Sequence, residues 1–178
     1  MLKMNNNSID LPFQAVLTGN IPSDEKCFSC WDEFELPEHI REHSLLVAKL
    51  ATHIGEKALE KGWQINIQAI RATALLHDLA KPYTLKYGGN HCQLGAAWVM
   101  QLTSNTAIAQ AIIHHLYWPG KLDLKLHLLP LTLIYADKRV KHDKIVTVEK
   151  RFEDLYTRYG KSDEHRQLID RSLEQTKN

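Results

Sequence analysis

At 178 residues, with 44% hydrophobic and 24% charged side chains, the chain has the composition of one ordinary globular domain, which excludes disordered, fibrous and two-core organisations. The 22 basic and 21 acidic residues are scattered and leave a formal net charge of +1, so no basic face is available for a nucleic-acid polymer or an anionic membrane. A small ligand is the expected partner.

In chain order, residues 1–22 are read as a partly irregular arm. Its start, Met1 to Ser8, is polar and Asn-rich, lacks the apolar stretch of a signal peptide, and contains the Asn5 to Asn7 run. Ser23, followed by Asp24 and Glu25, reads as the capped start of a helix reaching about Phe34. Pro37 opens a second helix, whose stripe of His43, Val47, Leu50, Ile54 and Ala58 stops near Gly62. A third helix from about Ile67 carries Ile70, Ala74 and His77 in register, and Pro82 forbids its continuation much past Lys81. Tyr83 to Asn90 reads as a turn around Gly88 and Gly89, and helical spacing returns from about Leu94 to Leu102, with His91 at the entrance. Thr106 caps a segment closed by His114 and His115 before Pro119 and Gly120. From about Leu124, a helix aligns Leu126, Leu129, Leu133, Asp137 and Val140, with Pro130 as a kink or late start. A helix from Glu149 to Tyr159 follows, and residues 161–178 read as a polar helix or tail with partial order. Alternation typical of strands is not found. The expectation is an all-α single domain of six or seven helices, its body spanning 23–160.

No apolar run approaches the ~18 residues a bilayer span needs. Cys27, Cys30 and Cys92 are an odd number without paired spacings, which fits a reducing, cytoplasmic compartment. Cys27 and Cys30 form a C-x-x-C without a second pair, and packing in the first helix is the better reading for them. Trp63 and Trp118 border turns and are read as packing residues.

Ten histidines are the unusual feature. His77 and Asp78 are neighbours at a helix end, where both can converge on one point, whereas inside a helix they would diverge by about 100°. His43 and Asp137 lie on core-facing stripes of other helices, and a carboxylate buried there is costly unless a cation or strong donors meet it. A metal ion would answer for all four. Imidazole and carboxylate together suit borderline first-row ions, with positions left for water or substrate oxygen.

The pattern His43, then His77 with Asp78, then Asp137, set in LPEHIREHSLLVAKLA, ATALLHDLAK and LIYADKRV, resembles the HD-domain superfamily of metal-dependent phosphohydrolases from about Cys27 to Phe152. It looks closest to the small stand-alone HDIG-type proteins, although Leu79 and Ala80 stand where that name has Ile and Gly. The resemblance implies a helical bundle with a metal site in its core, held by His43, His77, Asp78 and Asp137. It also implies a second ion where extra histidines lie between the dipeptide and the last aspartate. His91 falls at the fifth position, and His114 with His115 resembles the pair of cyclic-dinucleotide phosphodiesterases, with Asp78 bridging. One or two divalent ions are expected, iron or manganese first, with zinc, cobalt and nickel as alternatives. Lys81 is the implied catalytic partner of phosphate or water; Lys138 and Arg139 are weaker phosphate candidates.

The implied activity is hydrolysis of a phosphomonoester or phosphodiester in a nucleotide or similar small phosphorylated compound. A homo-oligomer is compatible with the sequence. The competing readings are a di-iron oxygenase of the HD type and a non-catalytic nucleotide-binding module. The remaining histidines, His39, His53, His127, His142 and His165, read as structural or surface residues.

Overall fold

A computed structural model describes residues 18–178, so most of the expected N-terminal arm, including Met1 to Ser8 and the Asn5 to Asn7 run, lies outside the described residues. Among the described residues there are nine helices and one two-stranded hairpin, more helices than the six or seven expected. Helix α1 (Asp24–Glu33) starts as anticipated, with the Ser23 hydroxyl accepting from the Lys26 amide. Helix α2 (Glu38–Glu60) follows Pro37.

Helix α3 (Ile67–Leu76) is the centre of the molecule. Its Asn66 cap accepts from the Ala69 amide, and nearly every residue from Ala69 to Leu76 is buried. Small side chains at Ala69, Ala72, Thr73 and Ala74 let neighbours approach on all sides, and α1 and α2 pack directly on it. Gly55 of α2 sits so close that a Cβ there would meet the Ile70 Cδ1 at 2.8 Å. Trp31 donates its indole N–H to the Leu75 carbonyl at 2.9 Å, which ties α1 to the last turn of α3.

The chain then makes a buried turn through His77, Asp78, Leu79 and Ala80, and enters α4 (Lys81–Tyr87). This corrects the expectation of a loop from Tyr83. Pro82 ends one helix by opening the next, because the first turn has no intrahelical acceptor for the amide that proline lacks. Gly88, at φ 82°, closes α4 in the backbone region that glycine tolerates best.

Helix α5 (His91–Thr103) begins three residues earlier than expected, at His91, with the Asn90 side chain accepting from the Cys92 and Gln93 amides. Helix α6 (Thr106–Ile113) is capped by Asn105, not by Thr106. Helix α7 (Leu124–Asp137) is bent at His127, which has φ −125° and ψ 32°. The cause is Pro130, which cannot donate to the carbonyl one turn back and crowds it. Only the second part of α7 faces the core; Leu126 is exposed, whereas Leu133, Ile134, Ala136 and Asp137 are buried.

Val140 does not continue the α7 stripe. It belongs to β1 (Val140–Lys141), paired antiparallel with β2 (Lys144–Ile145). Two-residue strands are too short to show alternation, which is why the hairpin escapes a periodicity search. Helix α8 (Val148–Tyr159) is capped by Thr147 and buries Arg151 and Phe152. Helix α9 (Asp163–Lys177) takes the helical of the two forms expected for the polar C-terminal segment, and it is docked. Gln175 holds both the amide and the carbonyl of Trp118, each at 2.7 Å, and Ser172 donates to the Leu116 carbonyl at 3.0 Å. Among the described residues, no helix is long and apolar enough to cross a membrane.

Candidate metal centre

Three distant helices meet at one buried cluster. Helix α2 brings His43 on its core stripe, the turn after α3 brings His77 and Asp78, and the last residue of α7 is Asp137. His43 Nε2 lies 3.1 Å from Asp137 Oδ1, while His77 Nε2 is 4.0 Å from that same oxygen and 3.5 Å from Asp78 Oδ2. Ligand atoms of His43, His77 and Asp137 all lie within 4.8 Å of one another, and all three residues are buried.

A second cluster shares Asp78. Its other oxygen, Oδ1, is 3.5 Å from His91 Nε2 and 3.8 Å from His115 Nε2. The two imidazole nitrogens are 3.3 Å apart, and the Cys92 Sγ is 3.6 Å from His91 Nε2. One carboxylate thus turns one oxygen to each cluster, the arrangement of a bridging ligand.

Whether these groups suit a cation can be judged from their protons. His77 Nδ1 is 2.7 Å from the Ala74 carbonyl, and His115 Nδ1 is 2.8 Å from the Ile112 carbonyl. A carbonyl only accepts, so each Nδ1 carries the proton. Burial pushes both rings toward the neutral form, His115 down to about 3, so each Nε2 presents a lone pair. Those lone pairs face carboxylate oxygens. His77 Nε2 and Asp78 Oδ1 are buried and without a hydrogen-bond partner among the described residues. Acceptors facing acceptors in a dry interior are unfavourable unless a cation lies between them, and outer hydrogen bonds from Nδ1 to carbonyls are how metal-binding imidazoles are oriented. The donor set fits a divalent metal ion.

Cationic side chains reinforce this. Burial opposes ionisation of Asp78, but the Lys81 ammonium beside it counters that cost, and the carboxyl is held far below the ordinary range. Burial likewise opposes Asp137, and Lys138, the His43 hydrogen bond and Arg151 overcome it. Lys81 Nζ sits 2.7 Å from Asp78 Oδ2, with 30% of its side chain exposed. Lys138 Nζ sits 2.7 Å from Asp137 Oδ2 and is almost wholly buried. Arg151 Nη2, from α8, reaches Asp137 Oδ1 at 3.7 Å.

The fold brings together His43, His77, Asp78, Asp137, His91 and His115, with Lys81 at the edge and Lys138 beneath. It does not bring His114 into either ligand group: that ring meets Trp118 edge-on at 5.4 Å. Arg139 is turned to the hairpin, donating to the Val146 carbonyl and to the Tyr135 hydroxyl, each at 2.7 Å. Sequence reasoning passed over Cys92 and Arg151. The signal for Arg151 was a cation beside Phe152 on an otherwise polar helix; for Cys92 it was adjacency to His91. Cys27 and Cys30 are buried in the core cluster, as their packing reading had it.

Over 80 residues, 45% of this chain, it is 36% identical to a ribonuclease Y from Chloroflexus aurantiacus, a match spanning only 15% of that protein. Over 134 residues it is 26% identical to an uncharacterized protein of Methanocaldococcus jannaschii, covering 65% of this chain and 76% of the relative. No solved structure matches at a comparable level. The HD domain family matches residues 40–155, the segment that carries all six clustered side chains from His43 to Asp137, and the chain belongs to that family.

Proposed function

We propose that the protein is a metal-dependent phosphohydrolase that cleaves a phosphomonoester or phosphodiester in a nucleotide or a similarly small phosphorylated compound. His43, His77, Asp78 and Asp137 hold one divalent ion, and His91 and His115 hold a second against the other oxygen of Asp78. The observation that carries this reading is the pair of orphaned buried atoms, His77 Nε2 and Asp78 Oδ1, aimed into two clusters of further acceptors. Such ions supply a Lewis acid for phosphate oxygens and acidify water at neutral pH.

The chain's own residues divide the remaining work. Asp78 sets the spacing of the two clusters through its two oxygens. Lys81, partly exposed on Asp78, can turn to a phosphate oxygen and stabilise developing charge there. Lys138 is too deeply buried to leave Asp137 for a substrate, so it keeps that carboxylate ionised and oriented. His91, with 22% of its side chain exposed, marks the side from which a phosphate reaches the clusters.

The test is phosphate and nucleotide release by metal-reconstituted protein under anaerobic conditions. The panel holds nucleoside phosphates, dinucleotides and cyclic dinucleotides, with short RNA included because one relative is named a ribonuclease. Turnover that vanishes with chelator and in Asp137→Ala, with helical circular dichroism intact, is the expected result. Substrate-dependent oxygen consumption without phosphate chemistry would make it an oxygenase; nucleotide binding without turnover would make it a binding module.

A further inference from the structure

We propose that Cys92 is a metal ligand, its thiolate joining His91 and His115 around the second ion. This rests on the reading of His91 and His115 as ligands. Two distances carry it. A tetrahedral ion with metal–nitrogen bonds of ~2.0 to 2.1 Å and a metal–sulfur bond of ~2.3 Å separates two nitrogens by ~3.3 Å and a nitrogen from sulfur by ~3.6 Å. His91 Nε2 and His115 Nε2 are 3.3 Å apart, and Cys92 Sγ is 3.6 Å from His91 Nε2. The third edge, sulfur to His115, closes within the 4.8 Å that encloses the group.

Ordinary packing would account for a buried cysteine, but not for its direction. Residues adjacent in sequence ordinarily diverge by about 100° on a helix, yet the Cys92 thiol and the His91 ring meet at the first turn of α5, which Asn90 caps through the Cys92 and Gln93 amides. The independent sign of a ligand is Asp78 Oδ1, which is buried, unpartnered and 3.5 Å and 3.8 Å from the His91 and His115 Nε2 atoms. Binding exchanges the thiol S–H bond for a sulfur–metal bond and releases the proton to solvent. It also makes the two positions chemically unequal. The first offers only imidazole and carboxylate, whereas the second carries a soft sulfur donor and favours zinc or cobalt over manganese.

Anaerobic titration of the metal-free full chain with cobalt(II), followed by absorption spectroscopy, tests this. A thiolate-to-cobalt charge-transfer band that grows with the second equivalent, survives in the Cys27→Ser, Cys30→Ser double variant and is lost in Cys92→Ser supports the assignment. Two bound cobalt ions without that band, or a band that persists in Cys92→Ser, overturn Cys92 as a ligand and leave the two-ion reading standing. Saturation at one equivalent overturns both. If Cys92→Ser does not fold, X-ray absorption of the zinc-loaded Cys27→Ser, Cys30→Ser protein decides: a sulfur neighbour at ~2.3 Å supports the proposal and nitrogen and oxygen neighbours alone refute it.

Discussion

The two donor clusters on either side of Asp78 are built on different terms. The first draws His43, His77 and Asp137 from three helices far apart in sequence, is buried throughout, and has its carboxylate matched by Lys138 and Arg151. The second draws His91, Cys92 and His115 from α5 and the end of α6, and leaves His91 partly open. The first is welded into the core; the second has one edge, His91, open to solvent. A buried anion obliges the fold to supply cations around it, and a rim of neutral imidazoles imposes no such demand.

Breaking the element common to both clusters has the largest effect. Asp78→Ala should lower turnover more than about 100-fold, beyond what loss of an outer-sphere partner costs, and leave about zero metals per chain. His91→Ala, confined to the rim, should leave about one. Elemental analysis after chelator-free purification reads both, and equal metal content in the two variants would erase the distinction between the clusters.

The charge balance of the buried cluster is tested next by Lys138→Met. With its cation removed, Asp137 is left poorly compensated, and metal-free protein should lose about 3 to 5 kcal/mol in chemical denaturation. Saturating metal should shrink that loss, because the ion supplies the missing charge. An undiminished loss would mean that Lys138 acts through packing alone.

Acid separates imidazoles from carboxylates. The folded protein holds His115 neutral down to about 3, while the unfolded chain takes up the proton near its ordinary value of about 6.5. Between those values the unfolded state binds more protons, so stability is full above about 6.5 and falls as pH drops, by about 1.4 kcal/mol per pH unit for this ring. Asp78 and Asp137, depressed in the fold, add their own loss only below the ordinary carboxylate range near about 4. Metal-free His115→Leu should therefore show a shallower slope between pH 6 and pH 5, roughly the window of the histidine effect. An unchanged slope would remove His115 from the acid response.

The smallest effect lies farthest from the clusters. Gln175→Ala removes two hydrogen bonds to the Trp118 backbone and should cost about 1 to 2 kcal/mol. The loss should appear as faster amide exchange in α9.

Much of the first cluster was legible because its residues interrupt apolar stripes at helical spacing: His43 among Val47 and Leu50, Asp137 among Leu133 and its neighbours. The second was legible only by resemblance. His114 and His115 are adjacent just past α6, and which of them turns inward depends on where that helix stops. Cys92 was read for its redox compartment, since nothing in the sequence told that His91 would open a helix instead of preceding one. Pro82 was read as a stop, although a proline serves equally well as a start. The docking of helix α9 was not legible, because Ser172 and Gln175 fasten it through polar side chains on backbone atoms that no apolar pattern announces.

The carbonyls that receive the His77 and His115 ring protons belong to Ala74 and Ile112, each three residues earlier in the same chain segment. Helix ends leave carbonyls in want of donors, and here one bond both closes a helix and selects the tautomer. The setting of each ring is thus written in a stretch of four residues and does not wait for distant parts of the chain. Such a unit is portable: placed at the end of another buried helix, it would arrive with its lone pair already aimed. Assembling a new centre of this kind would then be a problem of bringing helix ends together, with the chemistry of each corner settled beforehand.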